Sequence, residues 1–307
     1  MKSKLSVLCG IILSVFILLN CKNNTSLLSI KGPYLGETPP GVVPKVFAPE
    51  FVKMFSNDSV EVGCFEFNET ADVAVIRYFY HGDPYRVHIY TTEMKKNGWT
   101  LPVKAPFNSE KNDWDYNFAP DGKTLFFTSN RLHFIDGKKS EWSHIWKTTL
   151  TNSKWSEPQL MNSPINILET YSGYGSMTEN GGFYFHSRRQ EDTTSTSIYY
   201  LKKGSDEVKN IKELNNPNTR EFDPVIAHDG SYIIYISGGP PYHLNISFKT
   251  EDDSWTEPQI ILNGWDAGLP TISSDGKYLF FAANASVKYE IHWVSIKYLE
   301  QFRPTNN

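Results

Sequence analysis

Seven carboxylates recur at one point of a repeating pattern. Glu61, Asp113 with Asp115, Glu169, Glu221 with Asp223, and Asp266 stand at or near the head of short apolar stretches such as "EVGCFEF", "DYNFAP", "ETYSGYGSM", "EFDPVIA" and "DAGLPTIS". A second set of polar residues closes the stretch that follows each turn: His81, then Asn130 with Arg131, then His186 with Arg188 and Arg189, then Gly238 with Gly239, then Asn284. If each pair of stretches is an antiparallel hairpin, its first residues and its last residues lie at the same end. Carboxylates gathered at one end serve two kinds of chemistry. Two of them facing each other about 5–9.5 Å apart can act as acid and base, or acid and nucleophile, on a glycosidic bond. An asymmetric polar mouth over an apolar ring can also hold a ligand without transforming it. Arg131, Arg188 and Arg189 bring the fork-shaped donors suited to a carboxylate or a sugar acid. The alternative for each acid is structural, a bond to an arginine or a backbone N–H of its own or the next repeat, worth little at an exposed surface.

Other chemistries find no support. The eight histidines are scattered, without His-x-x-x-His or a His/Cys cluster, so no metal site is expected. No Asp-rich calcium loop and no Gly-x-Ser-x-Gly occurs. No cofactor is expected.

The elements that would position these residues repeat. "FAPDGKTLFFTSNR", "IAHDGSYIIYISGG" and "ISSDGKYLFFAANA" share one plan, "TENGG" marks a further copy, and "FEFNETADVAVIRYF" is a degraded one. The turn glycines Gly122, Gly181, Gly230 and Gly276 recur at intervals of about 50 residues. Asp-Gly and Asn-Gly accept the positive φ of a tight hairpin turn. The strand after each turn is rich in Phe, Tyr and Ile. A third ends in segments such as "HIWKTTL" and "LNISFKT", and a fourth often opens at Trp99, Trp155 or Trp255. Four strands per unit at this period predicts an all-β propeller of five blades, with six as the alternative. No sustained helical period is read from Val46 onward. The last unit lacks a Trp-x-x-Pro strand, and "VFAPEFV" (46–52) matches one without a blade of its own, so the leading strand is expected to complete the final blade and close the ring.

"APDGKTLFFTSNR" followed by "HIWKTTL" and "WSEPQLM" resembles the WD-like repeat with a Pro-Asp-Gly turn carried by propellers of the Tol-associated periplasmic type. The resemblance extends to exported bacterial proteins built wholly of such repeats, which begin like "GPYLGETPPGVVPKVFAPEFV" and end like "IHWVSIKYLEQFRP". It implies the propeller fold over nearly all of the chain after its leader, and implies little about activity.

The N-terminus carries its own signal. Two lysines precede an apolar run from Leu5 to Leu19 that ends at "LLNC". This resembles a bacterial lipoprotein signal, which implies lipidation at Cys21, although Asn20 stands where a small residue is usual. The expected organisation is a signal over 1–21, a tether and lead-in over 22–44, and one propeller over 45–307, held at the periplasmic or outer-membrane face of a cell envelope. Only Cys64 remains in the body of the chain, in an apolar stretch that suits a small core residue. A net charge of -4 excludes a strongly basic, nucleic-acid-binding surface. The expected function is a non-enzymatic binding or scaffold module for a protein or glycan at the channel mouth, acting as a monomer tethered by its lipid. The alternative is a glycan-active enzyme with Asp115, Glu169 and Asp223 in the acid and base roles and Arg188 stabilising charge.

Overall fold

A computed structural model describes residues 27–84, 86–189, 195–286 and 288–304. The signal segment and Cys21 lie outside the described residues.

The chain is a five-bladed β-propeller. Each innermost strand pairs only outward within its own sheet, and these strands are Val60–Phe67, Asp113–Phe118, Tyr171–Met177, Glu221–Ile226 and Ala267–Ile272. The turn after each of them leads to a second strand (Val73–Tyr80, Thr124–Ser129, Phe183–Arg188, Tyr232–Ser237, Tyr278–Ala283) and then to a third (Val87–Lys95, His144–Thr151, Ser197–Leu201, His243–Phe248, Glu290–Ser295). The outer strands are short, and in the first two blades the outer strand is split, with a two-residue hairpin piece at the tryptophan and a second piece beyond it.

The ring closes as the sequence predicts, by a leading strand added to the last blade, but with different bounds. Lys45 pairs with Trp293 and Val46 with His292. The strand stops there: Ala48 turns left-handed (φ 45°) and Pro49–Phe55 is a helix. That corrects the strand expected over 46–52. Proline at the first helical turn needs no N–H partner, and Phe51 and Phe55, one turn apart, face each other at 4.7 Å between ring centroids. Seven residues are too few for a helical period to stand out in the sequence. Phe47, wholly buried, is the bolt of this closure: its N–H donates to Ile291 O at 2.7 Å, and its ring packs edge-on against Phe65, Phe280 and Trp293.

Residues 27–36 precede the closing strand and are built into the same seam. Leu28 N–H donates to Trp99 O, and Tyr34 is buried between Phe67 of blade 1 and Tyr278 of blade 5. The apolar core lies between blades rather than within one central mass, because each sheet buries both faces against its neighbours. Buried polar staples stitch inner strands across these seams. Glu66 accepts the N–H of Phe118 at 2.6 Å, Ser176 accepts that of Ile226 at 3.1 Å, and Thr271 donates to Phe65 O at 3.0 Å. Among the described residues, no helix is long and apolar enough to cross a membrane.

Candidate functional site

The turn between the first and second strands of each blade supplies a common frame. Asn68 N–H donates to Val73 O, Ala119 to Thr124, Thr178 to Gly182, Ala227 to Tyr232 and Ser273 to Tyr278. Counting back along the first strand from these donors aligns Cys64, Asp115, Tyr174, Asp223 and Leu269 in one register. The preceding position holds Gly63, Trp114, Gly173, Phe222 and Gly268. Counting forward along the second strand aligns Arg77, Thr128, His186, Ile236 and Ala282. Every inner strand carries a β-bulge at this depth. Four of the residues in the Asp115 register are left-handed: Asp115 at φ 50°, Tyr174 at 52°, Asp223 at 52° and Leu269 at 51°. Aspartate tolerates that conformation better than most side chains, and a bulge redirects the residue it carries. The bulges thereby turn Asp115 and Asp223 into one cavity on the propeller axis.

That cavity has a volume of about 280 Å³. Asp115 and Asp223 face Arg77, His186 and Tyr171 in it, with Trp114, Phe222, Tyr242 and Tyr289 as aromatic walls and Arg220 on the rim. Arg77 Nη1 lies 3.2 Å from Asp115 Oδ1. The guanidinium also lies over the Phe79 ring, 4.5 Å from its centroid, and its buried Nε has no acceptor among the described residues. Asp223 N–H donates to His186 Nδ1 at 2.9 Å, so the imidazole carries its proton on Nε2, which donates to Tyr171 Oη at 2.8 Å. Gly173 leaves room for this pair: a Cβ there would stand 2.6 Å from Tyr171 Oη and 2.8 Å from His186 Nε2.

Burial sets the protonation of the site. It pushes Asp115 up to about 6, against the opposing pull of Arg77 and the Trp114 indole N–H. It pushes Asp223 well above the usual carboxylate range, and the charge of Asp115 pushes it further. Burial drives His186 down to about 3, so the ring is neutral. Both shifts favour a proton on the pair, with Asp223 as its holder.

Asp115, His186 and Asp223 each bring one potential ligand atom to within 4.8 Å of the others. These are residue types that ligate divalent ions. The arrangement does not suit one. The Nδ1 lone pair of His186 is taken by the Asp223 amide and its other nitrogen bears the proton, while Arg77 already places a cation against Asp115.

The remaining residues proposed from sequence fall in other registers. Glu61 accepts the Tyr289 N–H at 2.6 Å and lies 3.4 Å from His81. Asp113, fully buried, accepts from Ser109 N–H and Oγ and from Arg131 Nη2 at 2.7 Å. Glu221 accepts from Thr219 and Ser237 hydroxyls, and Asp266 from the N–H groups of Tyr242 and Ser286. Glu169 is exposed and precedes the inner strand of its blade. Asn130 Oδ1 accepts the Asn112 N–H at 2.9 Å. Arg131 also donates to Phe107 O, and Arg189 Nη2 to Pro164 O and Ile165 O. Arg188 ends its strand exposed to solvent. Of the residues proposed from sequence, the structure brings Asp115, His186 and Asp223 together at the axial cavity. It adds Arg77, Tyr171, Arg220, Trp114 and Phe222, which sequence reading passed over. A signal for them existed: aligned on the turn, Arg77 falls in the same column as His186, and Trp114 and Phe222 interrupt a column of glycines.

No protein-family model matches this chain, and no curated protein does. Solved structures do resemble it. TolB from Acinetobacter baumannii is 16% identical with a TM-score of 0.44, over 76% of this chain and 54% of that one. A putative TolB from Agrobacterium tumefaciens is 16% identical with a TM-score of 0.47, over 74% of this chain and 71% of that one. An endo-arabinase from Bacteroides thetaiotaomicron VPI-5482 is 13% identical with a TM-score of 0.47, over 76% and 93%. The chain thus spans about half the length of the first of these. At such identities the likeness is one of fold alone.

Proposed function

We propose that this chain is an exported, lipid-tethered propeller that binds the end of a glycan in its axial cavity without turning it over. The observation that carries the reading is a polar floor of Asp115, Asp223, Arg77 and His186 enclosed by Trp114, Phe222, Tyr242 and Tyr289. Sugar rings present hydroxyl edges and apolar faces. Paired carboxyl groups holding one proton both donate and accept hydrogen bonds to hydroxyls, and flat aromatic side chains offer apolar area with a defined orientation. The cavity, at about 280 Å³, lies just below the usual range for ligand pockets, about 300–1,000 Å³, which suits one terminal residue of a chain.

The second reading, glycoside hydrolysis, is favoured by the same two acids facing each other. Potential ligand atoms of Asp115 and Asp223 lie within 4.8 Å of each other, which is nearer the about 5–5.5 Å of a retaining pair than the about 6.5–9.5 Å of an inverting one. What argues for binding is the pairing of the more acidic member: Arg77 Nη1 stands 3.2 Å from Asp115 Oδ1, and a carboxylate held by a guanidinium is a weaker base and nucleophile. The test is a glycan array probed with the purified protein and its Trp114→Ala variant, with reducing-sugar release measured on every glycan bound. Capture that Trp114→Ala abolishes, without sugar release, supports binding. Sugar release abolished by Asp115→Asn would replace it with the hydrolase reading. No capture on any glycan would refute both.

A further inference from the structure

The two arginines of the axial cavity are engaged differently, and the difference points to the chemistry of the ligand. Arg77 is buried against Asp115, whereas Arg220 is exposed on the rim and, among the described residues, forms no ion pair with a carboxylate. Its Nε donates to Gly238 O at 3.2 Å and its guanidinium carbon lies over the Phe222 ring, 4.7 Å from the centroid. Among the described residues its two Nη groups meet no acceptor. A guanidinium held by an aromatic ring is placed to take a planar anion through two parallel N–H bonds.

Arg220 occupies the first-strand register that holds Glu61, Asn112, Tyr171 and Asp266 in the other blades. The positive rim is therefore local to blade 4, beside the Phe222 wall. A ligand stacked on Phe222 with its hydroxyls toward Asp115 and Asp223 would carry its anionic group at the edge of the ring. That is the layout of a sugar acid.

We infer that the axial cavity selects a glycan whose terminal residue carries a carboxylate, with Arg220 as the residue that reads the charge. This deepens the glycan-binding reading and rests on it. The shape of the floor favours a sugar over a peptide carboxyl terminus, because the paired acids would repel the carboxylate and need hydroxyls to satisfy them.

The test compares four probes by ligand-observed NMR or calorimetry at low salt: D-glucuronic acid, its methyl ester, glucose, and N-acetylalanine as a peptide-like carboxylate. The wild-type protein is expected to bind glucuronate about tenfold more tightly than the ester, a difference of about 1.4 kcal/mol. Arg220→Gln should bring the acid down to the level of the ester, and Arg220→Lys should restore part of the preference. Thermal unfolding of each variant verifies the fold. Equal affinity for acid and ester, or a preference that survives Arg220→Gln, would overturn the inference while leaving glycan binding intact. Failure of all three sugars would refute the glycan reading itself and the inference with it. Binding of N-acetylalanine alone would overturn both in favour of a peptide carboxylate.

Discussion

The paired acids make a prediction about stability that needs no ligand. Asp223 is buried beside Asp115, and its carboxyl is pushed well above the usual range by burial first and the neighbouring charge second. A carboxyl with a raised pKa in the folded state binds its proton more tightly there than in the unfolded chain. Stability is then fully present below the unfolded value, near 3.8, and is lost as pH rises through the folded value. Asp115 alone, raised from 3.8 to about 6, corresponds to about 3 kcal/mol lost over that window, at about 1.4 kcal/mol per pH unit. His186 acts in the opposite sense. Its folded pKa is depressed to about 3, so its contribution is present above about 6.5 and is lost as pH falls toward 3. The two trends offset each other in mild acid, and above pH 6.5 the acid pair stands alone. Asp223→Asn keeps the shape and removes the carboxyl that must hold a proton to stay buried. The variant should be more stable than the wild type at pH 8, and the gain should shrink by about 1.4 kcal/mol for each pH unit of acidification over which folded Asp223 keeps its proton. The two proteins should converge as the pH falls toward the unfolded value. Thermal unfolding followed by circular dichroism from pH 5 to 8 measures both. A variant less stable than the wild type at pH 8, with a deficit that grows with pH, would show that Asp223 is an ionised and well-paired carboxylate, and the proton-sharing argument would fail.

Three further outcomes follow from the packing. Phe47→Ala should cost about 3–5 kcal/mol, because the ring fills the closing seam between blades 5 and 1; denaturant unfolding measures it, and a loss under about 1 kcal/mol would mean that the leading strand does not hold the ring. Glu66→Gln should change stability by no more than about 0.5 kcal/mol at pH 7, since burial pushes this carboxyl well above its usual range and so disfavours its charged form, and its bond from Phe118 N–H needs only an acceptor, whereas Glu66→Ala should cost about 1–3 kcal/mol by orphaning that N–H. Asp113→Ala should cost about 3–5 kcal/mol by leaving Arg131 without its buried partner, and a neutral result in chemical denaturation would return Asp113 to the list of groups free to meet a ligand.

The sequence by itself determined the architecture. Its turns recur at intervals of about 50 residues, the last unit is one strand short, and the leading segment is one strand in excess. A sheet that must bury both faces and leave no free edge admits few other solutions. What the sequence could not settle was which acids share a site. Glu61 and Asp266, Asp113 and Glu221, and Asp115 and Asp223 differ by one to three positions along equivalent strands, yet adjacent positions on a strand face opposite ways. The bulges then add a further residue whose direction no period of two foretells. Only the tertiary structure decided that Glu61, Asp113, Glu221 and Asp266 bond to nearby amides, hydroxyls or Arg131, while Asp115 and Asp223 turn inward to meet Arg77. The physical reason is that repeats are written along the chain, but a site on the axis is assembled across it, from one register of several blades at once.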